Sequence, residues 1–245
     1  MPELGLLGRH ISYSFSKAHF TKKFEEEGLP FIYENFDIDT ISEFPQIIKN
    51  NPDLVGLNVT IPYKEQIIPY LDSLSEQAKA IGAVNTITIS PSGKLKGYNT
   101  DTFGFETSIA PFLKSQHKHA LILGTGGASK AVAYTLRELN IDFDYVSRKS
   151  NDMAKFTYSD LTETIVNSHQ IIINCTPVGT YPNIDDCPDI PYDGISRDHL
   201  LYDLIYNPPQ TKFLKQGKQR GATICNGLKM LELQAQKAWD IWGLQ

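Results

Sequence analysis

Short apolar runs, ended by glycine or proline, alternate along this chain with stretches of helical period. A buried strand is predicted over residues 4–7, closed by Gly8, and a helical pattern through Phe20 and Phe24 stops at Gly28. Residues 31–36 alternate as a strand does, and 41–49 carry helical periodicity. The next strand, from Val55, runs into Pro62, whose ring suits the first turn of a helix. A helix over 76–81, a strand over 82–89 that opens with small residues, and a turn at Pro91-Ser92-Gly93 follow. Residues 97–104 then lead into a helix that ends near Leu113.

From His119 the pattern becomes strand–helix–strand. Strands are expected over 119–123, 143–147, 170–174, 200–206 and 222–225, with helices over 128–139 and 160–167 and a short one from Thr211. The interval between 147 and 160 has room for a rudimentary helix only. Asn226-Gly227 makes a turn, and the final helix, Leu228–Trp242, shows an apolar stripe through Leu231, Ala235, Ala238 and Trp242. Several strands end in polar or glycine-rich segments, where open α/β sheets bind their ligands.

The most informative of these ends is Gly124-Thr125-Gly126-Gly127-Ala128-Ser129. An apolar strand breaks into glycines and then a helix, the layout of a dinucleotide-binding crossover. The glycines let backbone N–H groups approach a pyrophosphate, and the helix N-terminus adds partial positive charge. Ser129 stands where the usual fingerprint has a third glycine, and a ligand-free glycine turn is the alternative. Spacing from this turn admits two groups for the ribose, Asp144 or the Ser147-Arg148-Lys149 segment. Asp144 lies early in its strand, whereas Arg148 and Lys149 follow the carboxyl end, with Ser147 and Ser150 as further hydroxyl donors. That placement favours a 2′-phosphate, hence NADP, over a solvated basic turn.

Bulk properties narrow the field. A chain of 245 residues fits one large domain or two modest ones. The net charge of −5, with scattered lysines and arginines, speaks against nucleic acid. No apolar run approaches the roughly 20 residues of a membrane span, and no signal-peptide core opens the chain. Cys175, Cys187 and Cys225 lack metal-ligand spacing and fit a reducing cytoplasm, and the six histidines do not cluster, so no metal is expected.

Several polar residues sit where structure or chemistry could explain them. Ser14 and Ser16 fall at a helix start, as caps or as a carboxylate cradle. Lys64 falls in the expected first turn after Pro62, against the helix dipole, as a solvated or a functional cation. Asn85 interrupts an apolar alternation and needs hydrogen-bond partners, from backbone or ligand. Asp101 caps a helix or serves a site, and Gln234 lies within or beside the last helix's stripe.

These features fall into an ordered set: Ser14-Phe15-Ser16, Asn58-Val59-Thr60-Ile61-Pro62-Tyr63-Lys64, Gly82-Ala83-Val84-Asn85-Thr86, Asn99-Thr100-Asp101 and the glycine turn. Asn174-Cys175-Thr176-Pro177, Asp203-Leu204-Ile205-Tyr206, and Asn226-Gly227 with Met230-Leu231 and Gln234-Ala235 complete it. In that order and spacing the chain resembles the shikimate dehydrogenases over nearly its whole length. The resemblance implies an α/β fold of two domains, with a substrate domain of residues 1–101 and 228–245 and a Rossmann-like NADP-binding domain of 102–227. The C-terminal helix would return to the first domain. It implies reversible NADPH-linked reduction of 3-dehydroshikimate to shikimate by a monomer or homodimer. Ser14 and Ser16 would hold the substrate carboxylate, with Tyr206 nearby, and Asn58, Thr60, Asn85, Asp101 and Gln234 the ring hydroxyls. Lys64 would be the acid/base, paired with Asp101. Gly124, Thr125, Gly126, Gly127, Ala128, Ser147, Arg148, Lys149, Leu204 and Gly227 would line the cofactor.

The chain departs from the family pattern in places. Ser147 and Lys149 replace an Asn and a Thr around Arg148, Thr180 stands where a Met is common, and Lys17 replaces a Pro. The chain is also short around 149–159. An NAD-linked quinate/shikimate enzyme and a non-catalytic regulator on the same fold are the competing expectations; the presence of both Lys64 and Asp101 argues against the regulator.

Overall fold

In the computed structural model, which describes residues 1–12 and 15–244, the chain divides into two units. One comprises Met1–Thr100 with Ala235–Gln245, the other Asp101–Gln234. The first contains β1 (Glu3–Gly8), α1 (Phe15–Glu27), β2 (Ile32–Asp37), α2 (Phe44–Asn50) and β3 (Leu54–Val59). β4 (Ser73–Leu74), α3 (Glu76–Ile81), β5 (Thr86–Ile89) and β6 (Leu95–Tyr98) follow. The sheet runs β2-β1-β3-β5-β6-β4; β1, β2 and β3 are parallel, and β5 is antiparallel to both its neighbours. Helix α1 forms because Phe20 and Phe24, four residues apart, reach one core from one face. Ser75 starts α3 by accepting the Ala78 N–H at 3.1 Å.

Two expectations fail here. Leu95–Tyr98 is a strand, paired with β5, rather than a lead-in to a helix. Four residues that include Gly97 are too few for an alternation to show. No α-helix follows Pro62 either; residues 61–67 form turns and Ile68–Tyr70 a single 3-10 turn. The Lys64 carbonyl, which a helix would bond to the Ile68 N–H, instead accepts the Val84 N–H at 2.7 Å, and Ile68 N–H turns to the Glu65 carbonyl. The unfavourable dipole expected at Lys64 is therefore absent.

The second unit contains α4 (Asp101–Ile109), β7 (His119–Leu123), α5 (Gly127–Glu138), β8 (Asp142–Ser147) and β9 (Phe156–Thr157). Next come α6 (Glu163–Ser168), β10 (Ile171–Asn174), β11 (Leu200–Asp203), α7 (Lys212–Gln219) and β12 (Thr223–Cys225). The last helix, α8 (Leu228–Trp242), begins in this unit and ends in the first. Met230 joins the second unit's core, while Ala235 and Trp239 pack with Leu4, Phe20 and Phe24. All strands are parallel, in the order β12-β11-β10-β7-β8-β9. From β7 the chain moves outward to β9 and then returns to β10 on the other side of β7, so strand order reverses between β7 and β10. That crevice is where doubly wound sheets bind ligands. β10 is buried along its length, as a strand covered on both faces must be. Among the described residues no helix is long and apolar enough to cross a membrane.

Candidate functional site

In the first unit the expected residues collect at the carboxyl ends of the parallel strands. Asn58 lies near the end of β3, opposite Thr86 at the start of β5. Its side-chain oxygen accepts the Tyr33 hydroxyl at 2.8 Å. Asn85, only 4% exposed, accepts the Thr100 N–H at 2.8 Å through its side-chain oxygen and donates to Thr100 Oγ1 at 3.0 Å. Thr86 Oγ1 donates to the same Asn85 oxygen at 3.1 Å. The buried amide thus finds its partners within the protein, as a buried polar group must. Thr60 follows β3 directly, its N–H bonded to the Leu7 carbonyl at 2.9 Å. The Val84–Lys64 backbone bond sets Lys64, half-buried, beside the segment that carries Asn85. Ser16 is the second residue of α1 and hydrogen-bonds the Tyr33 phenol. Ser14 lies outside the described residues.

In the second unit Asp101 is the first residue of α4 and only 1% exposed. One turn on, Gly104 lets α4 meet α8: a Cβ there would stand 2.6 Å from the Met230 carbonyl and 3.3 Å from Gln234 Cβ. Asp101 and Gln234 therefore belong to two touching helices. Tyr206 is half-buried, and burial raises its phenol pKa.

The glycine loop leaves β7 with Gly124 at φ +101°, a conformation open to glycine, its N–H bonded to the Val146 carbonyl of β8 at 2.8 Å. Gly126 is exposed with open space in front of it, at the start of α5. Thr125, Gly127 and Ala128 are half-buried along the same turn. Ser129 is fully buried, and its hydroxyl donates to the Gly126 carbonyl at 2.6 Å, so it braces the turn from within. Arg148 and Lys149 are exposed at the carboxyl end of β8, next to β7. Ser147 is buried and gives its single hydroxyl proton to the Lys149 carbonyl, while Asn151 donates to Ser147 Oγ at 3.0 Å. Asp144 is engaged elsewhere: it pairs with Lys155 at 2.7 Å and His169 at 3.2 Å. Burial pushes its carboxyl up, but those two hydrogen bonds outweigh burial and leave it below its ordinary range.

Leu204 and Gly227 meet: a Cβ at Gly227 would lie 2.0 Å from the Leu204 carbonyl oxygen. Strand β11 stops before Leu204, not at Tyr206 as periodicity predicts, because the Asp203 side chain takes the Ile205 N–H at 3.1 Å. Asp203 also accepts from Asn174 Nδ2 at 3.0 Å and from Thr211 at 2.6 Å. Burial raises its pKa to about 6, against the opposing pull of these bonds. This network ties the β10 and β11 loops together, and its signal in the sequence is a carboxylate set in the apolar run 200–206. Among the described residues no group of three or more His, Cys, Asp or Glu is placed to hold a metal, and the three cysteines are free.

Comparison with known proteins supplies a family. The profile of the shikimate dehydrogenase substrate binding domain matches residues 6–87. A shikimate dehydrogenase (NADP(+)) of Methanosphaera stadtmanae is 38% identical over 97% of this chain and 90% of its own length. Among solved structures, shikimate dehydrogenase 1 of Peptoclostridium difficile superposes with a TM-score of 0.84 at 39% identity, covering 99% of this chain and 92% of that one. Shikimate 5-dehydrogenase of Thermus thermophilus, in complex with NADP(H) and shikimate, gives a TM-score of 0.87 at 29% identity, covering 99% and 93%.

Proposed function

The chain belongs to the shikimate dehydrogenase family, and on that footing we propose that it catalyses the reversible NADPH-linked reduction of 3-dehydroshikimate to shikimate, towards the aromatic amino acids. The observation that carries this reading is the gathering of Ser16, Asn58, Thr60, Lys64 and Asn85 at one end of the first unit's sheet. Neutral hydroxyls and amides suit a polyhydroxylated acid, each of whose hydroxyls needs a partner in a closed site.

The second unit fits NADP. Open space before Gly126 admits a pyrophosphate at the α5 N-terminus, and the exposed Arg148 and Lys149 suit an anionic 2′-phosphate. Gly124, Thr125, Gly126, Gly127, Ala128, Ser147, Leu204 and Gly227 would line the rest. NADPH supplies a hydride when bound. Ser14 and Ser16 hold the substrate carboxylate with Tyr206, while Asn58, Thr60, Asn85, Asp101 and Gln234 bond the ring hydroxyls. Lys64 gives a proton to the oxygen that gains negative charge and takes it back in the reverse direction.

The three free thiols suit a reducing cytoplasm, and the assembly is a monomer or homodimer, which sedimentation distinguishes. The decisive assay is loss of NADPH absorbance on adding 3-dehydroshikimate, repeated with NADH. Turnover with NADPH is expected; inactivity with both cofactors overturns the reading.

A further inference from the structure

Strand β2 carries no residue assigned above, yet it grips the segment that leads to Ser16. Asn35 Nδ2 donates to the Ile11 carbonyl at 3.1 Å, and the Asp37 carboxylate accepts the His10 and Ile11 N–H groups at 2.8 and 3.1 Å. Alternate residues of a strand share a face, so Tyr33 lies on the same side as these two. Tyr33 is 2% exposed, and its ring stacks on Phe20 with centroids 4.9 Å apart. Its oxygen accepts from Ser16, and its proton goes to Asn58 Oδ1 at 2.8 Å. Burial pushes the phenol far above its ordinary range, so that proton stays in place.

An asparagine amide presents an acceptor at one end and two donors at the other. With its oxygen held by Tyr33, Asn58 turns Nδ2 away from β2. There it lies 3.4 Å from both the Asn85 carbonyl and Thr86 Oγ1, at the long end for such bonds. Its donors are weakly engaged and its orientation is fixed.

We propose that Tyr33 is a positioning residue, whose hydroxyl holds Asn58 as a hydrogen-bond donor toward the substrate. The inference rests on the reading of this chain as a shikimate dehydrogenase. Its test is the steady-state oxidation of shikimate with NADP by the unaltered enzyme, Tyr33→Phe, Asn58→Ala and the double variant. Phenylalanine keeps the stack on Phe20. Loss of the hydroxyl should raise KM for shikimate roughly tenfold, the scale of one net hydrogen bond, with KM for NADP unchanged. In the Asn58→Ala background the same change should add nothing, because its effect passes through the amide. An unchanged KM for shikimate, parallel rises in both KM values, or an equal effect in both backgrounds would overturn the proposal. Should Tyr33→Phe fail to fold, Asn58→Asp replaces it: the Tyr33 bond survives and the donor does not, so KM for shikimate must rise as in Asn58→Ala. An inactive unaltered enzyme refutes the functional reading itself, whereas an active one indifferent to Tyr33→Phe refutes only the positioning role.

Discussion

In the first unit the residues at the sheet's end are tied by neutral groups, with Tyr33, Asn58, Thr86, Asn85 and Thr100 exchanging hydroxyl and amide bonds. In the second, Asn174, Ile205 and Thr211 are tied to a buried carboxylate, Asp203. The neutral network holds equally well at any moderate pH. The charged one does not. Burial raises the Asp203 pKa to about 6, above the unfolded value, so its protonated form favours the fold. That contribution is complete below the unfolded pKa and is lost as pH rises through about 6. His117 and His199 work in the other direction: burial lowers both, and their stabilising effect is lost as pH falls from the unfolded histidine range. These three buried titrating groups all lie in the second unit.

The largest effect expected is chemical. Lys64→Ala should lower turnover by roughly 10²–10⁴-fold, the range for positioned proton transfer, with KM for NADPH nearly unchanged. Rapid turnover by that variant would remove the first unit's claim to the chemistry. Asp203→Asn comes next, since an amide can keep the bonds to Asn174, Ile205 and Thr211 by reorienting. Urea unfolding at pH values on either side of Asp203's pKa should show the parent losing up to about 3 kcal/mol that the variant keeps. Identical pH slopes for the two proteins would break the comparison.

The converse change, Asn85→Asp, puts a carboxylate into the neutral network and deletes the donor to Thr100 Oγ1. It should cost roughly 1–3 kcal/mol at neutral pH and make stability fall as pH rises, read by the same unfolding series. Arg148→Ala is the mildest. KM for NADPH should rise roughly tenfold while that for NADH holds, since an exposed guanidinium contributes through charge-assisted bonds to a phosphate. Equal losses with both cofactors would mean that the arginine does not read the 2′-phosphate.

What could be read in the chain was what short-range physics decides. The glycine loop needs only a strand, a turn and a helix in succession, and β7, Gly124 and α5 occupy the expected places. Position along one strand favours Arg148 over Asp144 for a 2′-phosphate, and the structure pairs Asp144 with Lys155 and His169. Where a distant partner decides the matter, local rules fail. Proline chemistry predicts a helix at Lys64, but the Val84 N–H takes the carbonyl such a helix needs. Periodicity runs β11 on to Tyr206, but Asp203 turns back on its own backbone.

Tyr33 reads as one more alternating strand residue until the fold sets its hydroxyl between Ser16 and Asn58. The sequence by itself determined the residue types, their order and the local turns, and through these the family and its chemistry. Only the tertiary structure decided which donors meet which acceptors, because hydrogen bonds between strands far apart in the chain depend on sheet order and register, which no local pattern encodes.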